Sequence, residues 1–208
     1  MKTFYTIILI SVFSLAGAQD WQPIFNGKDF SNWKHIGEGF FEIENGMLKS
    51  QGGMGLLYYT PKKVGDIKIK IVYKGADKNN AGVFIRIPEK PTEVWMPVNK
   101  GYEVQIDDRE DEFHYTGVLY SLTKAKAKPG KPDVWNEMII TLDGKRTIVH
   151  VNGVLVTDFT EGDKVPEKKL DYEPDRGARL EMGYIGLQNH GDDDVIYFKE
   201  VSIQPIIK

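Results

Sequence analysis

The run Gly101-Tyr102-Glu103-Val104-Gln105-Ile106-Asp107 alternates apolar and polar side chains. In a strand, that alternation puts Tyr102, Val104 and Ile106 on one face and Glu103, Gln105 and Asp107 on the other. Acid, amide and acid at fixed spacing offer hydrogen-bond acceptors and a proton carrier. An ordinary solvated strand face is the competing reading. Two other stretches combine an apolar face with a chemically equipped one. Residues 80–87 bury Val83, Ile85 and Ile87 and turn Gly82, Phe84 and Arg86 the other way. Residues 183–191 bury Ile185 and Leu187 and present Tyr184, Gly186, Gln188 and His190 together. Arg86 reads either as the ion-pair partner of Glu103 or Asp107, or as a fork holding substrate oxygens. Gly82 and Gly186 leave room above a sheet, as a ligand surface requires. His190 is the member that titrates near neutral pH, whereas His35, His114 and His150 lack comparable company.

These segments need a β framework, and the rest of the chain predicts one. Period-two alternation and turn dipeptides recur without a sustained helical period. Strands are expected over 41–44, 47–50, 56–59, 67–71, 82–87, 101–107, 117–121, 134–142, 147–152, 154–159, 184–189 and 195–203. Asn45-Gly46, Asp143-Gly144 and Asn152-Gly153 mark hairpins. Many short strands of this kind predict an all-β sandwich or jelly roll. The Ile/Lys alternation of residues 67–71 predicts a solvent-facing sheet whose lysines discourage edge pairing. Trp95 falls on a Pro-bracketed loop, where it either stacks on a sugar ring or plugs a small satellite core. The basic stretch 124–132 and the mixed-charge stretch 161–179 read as solvated connections.

Ahead of this framework, Lys2, an apolar run over 4–15 and Ala16-Gly17-Ala18 form a signal-peptide pattern, with cleavage expected after Ala18. Residues 19–208 then form one exported, soluble domain, periplasmic or extracellular. The apolar run is shorter than the roughly 20 residues of a membrane span. With no cysteine in the chain, neither a thioether lipid anchor nor a disulfide framework is expected. A net charge of -3 disfavours nucleic acid as a partner.

Residues 21–33, 80–86, 101–107, 116–120, 135–136, 151–153 and 185–191 are, in that order, similar to the successive motifs of the 3-keto-disaccharide hydrolase domain family. The resemblance implies a concanavalin A-like jelly roll of two curved antiparallel sheets with a carbohydrate site on the concave face. It also implies hydrolysis of glycosides already oxidised to a ketone at C3. By motif position it carries over Arg86, Glu103, Gln105, Asp107, Gln188 and His190, together with Tyr120 and Asn136.

A conventional glucanase-type glycosidase fits less well. At about 3.3 Å per residue, Glu103 and Asp107 stand roughly 13 Å apart along the strand, while paired glycosidase carboxyls need about 5–9.5 Å. A C3 ketone removes that demand, because it acidifies the neighbouring C–H and permits elimination followed by addition of water. Either Glu103 or His190 is the base and the other the proton donor, with Arg86 and Gln188 stabilising the enolate. A divalent cation held by His190 and a carboxylate is an alternative to Arg86. The acidic runs 107–112 and 192–194 read as solvated loop charge rather than as a Ca²⁺ site. The other class of function open to such a chain is a non-catalytic carbohydrate-binding module on the same fold.

Overall fold

A computed structural model describes residues 20–109 and 111–207; the expected signal segment lies outside them. The described elements are Gln22–Pro23 (β1), Trp33–Gly37 (β2), Phe40–Glu44 (β3), Met47–Gln51 (β4), Gly55–Tyr59 (β5), Ile67–Gly75 (β6) and Ala81–Ile87 (β7). They continue as Trp95–Lys100 (α1), Tyr102–Ile106 (β8), Asn136–Asp143 (β9), Arg146–Val151 (β10), Val154–Thr160 (β11), Tyr184–Asn189 (β12) and Ile196–Pro205 (β13). The larger sheet has the order β11-β10-β9-β6-β13-β4-β3, with β1 also pairing β13, and the smaller has β2-β5-β12-β7-β8. All pairings within both sheets are antiparallel. The protein is an all-β, concanavalin A-like jelly roll. Among the described residues no helix is long and apolar enough to cross a membrane.

The core lies between the sheets and follows from period-two alternation. Ile69, Ile71 and Tyr73 of β6 face Val83, Ile85, Val104 and Leu187 of the smaller sheet within one buried cluster. The lysines of β6 point away from that core, but β6 is flanked by β9 and β13. They therefore guard no edge, contrary to the sequence expectation. Asn45-Gly46 and Asn152-Gly153 both adopt positive φ at their two positions, 51° and 78° in the first and 49° and 78° in the second. That is the backbone demanded by a type I′ hairpin turn.

Three departures from the expected elements shape the functional face. Residues 117–121 form turns rather than a strand, yet they lie along the free edge of β8. Gln105 N donates to Val118 O at 3.0 Å, Gly117 N to Gln105 O at 2.8 Å and Tyr120 N to Glu103 O at 2.9 Å. The expected Pro-bracketed loop contains the one-turn helix α1, whose Val98 packs on a small apolar cluster of Leu56, Tyr58, Phe84 and Ile87. This second cluster sits on the outer face of the smaller sheet, away from the main core.

The third departure is a β-bulge at Arg86. β12 places Tyr184 opposite Ile87 and Gly186 opposite Phe84, so one residue of β12 faces two of β7. Arg86 takes φ +54°, and parity inverts: Ile85 belongs to the main core while Ile87 belongs to the outer cluster. Gly183 permits the close approach, since a Cβ there would stand 2.2 Å from the Arg86 carbonyl carbon. The Arg86 side chain is 1% exposed. Its guanidinium donates to Leu180 O at 3.1 Å, Gly144 O at 2.8 Å and Arg146 O at 3.3 Å. Burial pulls it below its ordinary pKa.

Arg86→Ala removes a fully buried side chain together with these bonds and is expected to cost at least about 3 kcal/mol in urea unfolding, as truncation of large buried side chains does. Lys restores little, because one ammonium cannot reproduce the fork. Unchanged stability with lost activity would instead return Arg86 to a substrate role.

Candidate active site

The outer face of the smaller sheet carries a cavity of about 660 Å³, within the size range of small-molecule sites. Its floor is made by Glu103 and Gln105 from β8 and Gln188 from β12; His190, just beyond β12, forms part of the wall. Tyr120 enters from the segment paired along β8. Trp95 of α1 and Tyr172 of the 161–182 loop stand at the mouth, 46% and 54% exposed. The turn after β8 contributes Arg109, Asp111 and His114.

Glu103 is 6% exposed, and its carboxyl lies over Gly82. A Cβ on Gly82 would meet Glu103 Oε1 at 2.5 Å and its Cγ at 2.6 Å. The glycine that promised open space is thus the seat of the acid. Burial raises the Glu103 carboxyl from an ordinary 4.5 to about 8, opposed by a hydrogen bond from the Gln188 amide and assisted by the charge of Asp107. At neutral pH the group holds its proton. Burial, together with this neighbouring acid, likewise raises the Tyr120 phenol to about 12.

A hydrogen-bonded chain links the floor to His190. Gln105 Nε2 donates to Asn80 Oδ1 at 2.6 Å, Asn80 N donates to Asp194 Oδ1 at 2.8 Å, and Asp194 Oδ2 lies 3.0 Å from His190 Nδ1. Burial opposes ionisation of Asp194, but the hydrogen bonds from His190 and Asn80 outweigh it and hold the carboxyl below its usual range. An ionised Asp194 fixes a proton on Nδ1 and leaves Nε2 as the basic nitrogen of His190. A second pair repeats the arrangement, with His114 Nδ1 3.0 Å from Asp111 Oδ1. The His114 ring packs edge-on to Tyr120 at 5.2 Å.

Of the residues singled out in the sequence, Glu103, Gln105, Gln188, His190, Tyr120 and Trp95 come together in this cavity. Arg86, Asp107 and Asn136 do not line it. The bulge sends Arg86 to the carbonyls described above rather than to Glu103 or Asp107. Asp107 follows the end of β8, where its buried carboxylate accepts from Arg109 N at 2.9 Å and Arg109 Nε at 2.6 Å. It positions a guanidinium rather than contacting the cavity. Asn136 begins β9 in the other sheet, where its side chain joins Lys131 and Asn152. The sequence reading overlooked Arg109, Asp111, His114, Asn80 and Tyr172. Arg109 and Asp111 lie in a charged run that reads as solvated, and Tyr172 lies in the long loop read the same way. His114, set aside for want of company, has Asp111 and Tyr120 beside it. A cation on His190 and a carboxylate would find Asp194 as its second donor. Among the described residues, however, no group of three His, Asp or Glu is arranged to hold a metal.

The family of 3-keto-alpha-glucoside-1,2-lyase-like domains matches the chain over residues 20–204. The protein belongs to this family. Among its relatives is a 3-keto-disaccharide hydrolase of Bacteroides thetaiotaomicron, 25% identical over an alignment of 231 positions that covers 90% of this chain and 79% of the relative. A crystal structure of a candidate glycosyl hydrolase from Parabacteroides distasonis superposes with a TM-score of 0.75 at 25% identity, covering 90% of this chain and 94% of that one. A carbohydrate-binding module of Bacillus subtilis shares the fold alone, with a TM-score of 0.58 at 14% identity over 85% of this chain and 97% of that one. The fold is thus shared by relatives named for glycosidic chemistry and by a carbohydrate-binding module.

The Glu103 carboxyl makes a stability prediction. Because its folded-state value lies above the unfolded one, the native protein keeps the proton longer, and stability falls as pH rises from about 4.5 to about 8. The gap corresponds to at most about 5 kcal/mol. In urea unfolding, Glu103→Gln is expected to gain a few kcal/mol on the parent at pH 9 and to lose that advantage towards pH 4.5. Parallel pH profiles would contradict this. Gly82→Ala, which needs the space of the carboxyl, is expected to displace Glu103 and to lower any glycoside turnover at least about tenfold, as misplacing a reacting group does; wild-type turnover would show that the seat is not required.

Proposed function

We propose that the protein cleaves the glycosidic bond of sugars oxidised to a ketone at C3, by elimination of the glycosidic oxygen and subsequent addition of water. The observation that carries the reading is the pairing, in one cavity, of a proton-bearing Glu103 seated on Gly82 with a His190 whose Nδ1 is held by Asp194. Family membership and the hydrolase name of a relative support carbohydrate-active hydrolysis in general. The ketone-specific step rests on the chemistry of these groups.

A ketone at C3 makes the C2 proton acidic. His190, with Nε2 free to accept, removes that proton, and Glu103 delivers its own to the departing glycosidic oxygen. The raised pKa of Glu103 supports this division of the two roles, because such an acid retains its proton at neutral pH. Charge developing on the ketone oxygen is met by Arg109 and the Gln188 amide, Arg109 replacing Arg86 in that role. Trp95 and Tyr172 offer flat apolar surfaces to the sugar or its leaving group. A two-carboxylate glycosidase is disfavoured because Asp107 is spent on Arg109 and Asp111 is engaged with His114. The apolar leader ending at Ala18 supports export, so the reaction is proposed to occur outside the cytoplasm.

Protein lacking residues 1–18 is expected to cleave a 3-keto-glucoside and to leave the unoxidised glucoside intact. Cleavage of both would point to a conventional glycosidase, and binding without turnover to a carbohydrate-binding module. Glu103→Gln is expected to lower kcat on the keto substrate by about 10²–10⁴-fold. Reaction in deuterated water should place deuterium at C2 of the released sugar, and a product without label would count against proton abstraction.

A further inference from the structure

Resting on the reaction proposed above, we propose that His114, aligned by Asp111, is a second acid/base group that activates the water added after elimination. Elimination and hydration place different demands on the site. In the first step a base takes the C2 proton, the C1–O bond breaks and an acid protonates the leaving oxygen. This leaves a sugar with a C1=C2 double bond conjugated to the C3 ketone. In the second step water must lose a proton as its oxygen bonds to C1, while C2 regains a proton. After the first step His190 is protonated and serves as the donor to C2. Glu103, now ionised, needs its proton back. Ionised Glu103 can take the proton of water only on the face where it protonated the leaving oxygen, so water that reaches C1 from the other face needs a separate base.

The cavity wall holds a second His–Asp pair. His114 lines the same cavity as Glu103 and His190, and its side chain is 30% exposed. Asp111 is itself anchored, accepting from Phe113 N at 2.8 Å. Burial opposes its ionisation, but that bond and the one from His114 hold its carboxyl below the usual range. An ionised Asp111 at 3.0 Å from Nδ1 keeps the proton there and leaves Nε2 able to accept from water. Tyr120 packs against the His114 ring and hangs from Glu103 through its main chain at 2.9 Å, which fixes the ring relative to the acid. Proton balance then closes: water gives its proton to His114, protonated His190 gives one to C2, and His114 returns its proton to Glu103 directly or through solvent. The net reaction consumes one water. It also gives a residue-level reason why one member of a lyase-like family would release a hydrated sugar.

The test follows both products of a 3-keto-glucoside in parallel, the conjugated enone by its near-ultraviolet absorbance and the free keto-sugar by mass spectrometry. His114→Gln is expected to raise the ratio of enone to hydrated sugar at least tenfold over the parent, and Asp111→Asn to raise it in the same direction by a smaller factor. His190→Gln lowers both products together. An unchanged ratio in both the His114 and Asp111 variants would overturn the proposal, as would a parent protein that itself releases only enone. A parent that cleaves no 3-keto-glycoside would instead overturn the reaction class, and this assignment with it.

Discussion

The Glu103 carboxyl sits in the space that any side chain at position 82 would fill, and that burial is the constraint on which the site turns. A carboxylate is costly to remove from water, so the group keeps its proton into the neutral range. The price is tolerated because the strand pairing leaves no alternative. Glu103 lies opposite Phe84 and Gln105 opposite Gly82, so the acid leans across a gap framed by an aromatic ring and an amide. Gln188, on the next strand beyond β7, donates to it. In such surroundings a neutral acid is held at the floor of the cavity.

The groups around it are fixed by links that reach far along the chain. Asn80 joins Gln105 to Asp194, and Asp194 orients His190. Asp107 holds Arg109. The backbone of residues 116–120 pairs with β8 and delivers Tyr120. The bulge at Arg86 contributes from the opposite side. By inverting parity it brings Ile87 to the outer face beneath α1, which carries Trp95 to the mouth. The 161–182 loop is tied to the same helix, since Arg179 donates to Asn99 O at 3.0 Å and to Gly101 O at 2.8 Å. Trp95 and Tyr172 thereby belong to one braced rim. The buried arginine that looked catalytic is structural, and it acts on the site through the shape of the sheet.

Much of this was legible in the sequence. Alternation alone placed Glu103, Gln105 and Gln188 on one surface, because their strands are regular up to that point. Asn-Gly dipeptides marked two hairpin turns whose positive φ values they adopt. Arg86 was misread because bulges are usually signalled by glycine or asparagine, whereas here an arginine takes φ +54° and Gly183 on the neighbouring strand makes the room. Asn136 was misread because a motif position says nothing about which sheet bears it. Asp111 and Arg109 were overlooked for a different reason, and His114 because its partner Asp111 comes from that same turn. A turn rich in charge looks solvated until tertiary contacts fold it over a cavity, and local pattern carries no trace of that.

Proton donation by Glu103 requires that it be protonated at neutral pH. Carbon-13 NMR of protein labelled at the glutamate side-chain carboxyl carbon, with Glu103→Gln used to assign the resonance, reads it directly. A titration midpoint near 8 is expected, with the resonance in the protonated range at pH 7. A midpoint near the ordinary 4.5 would mean an ionised Glu103 at neutral pH and would contradict its role as the proton donor.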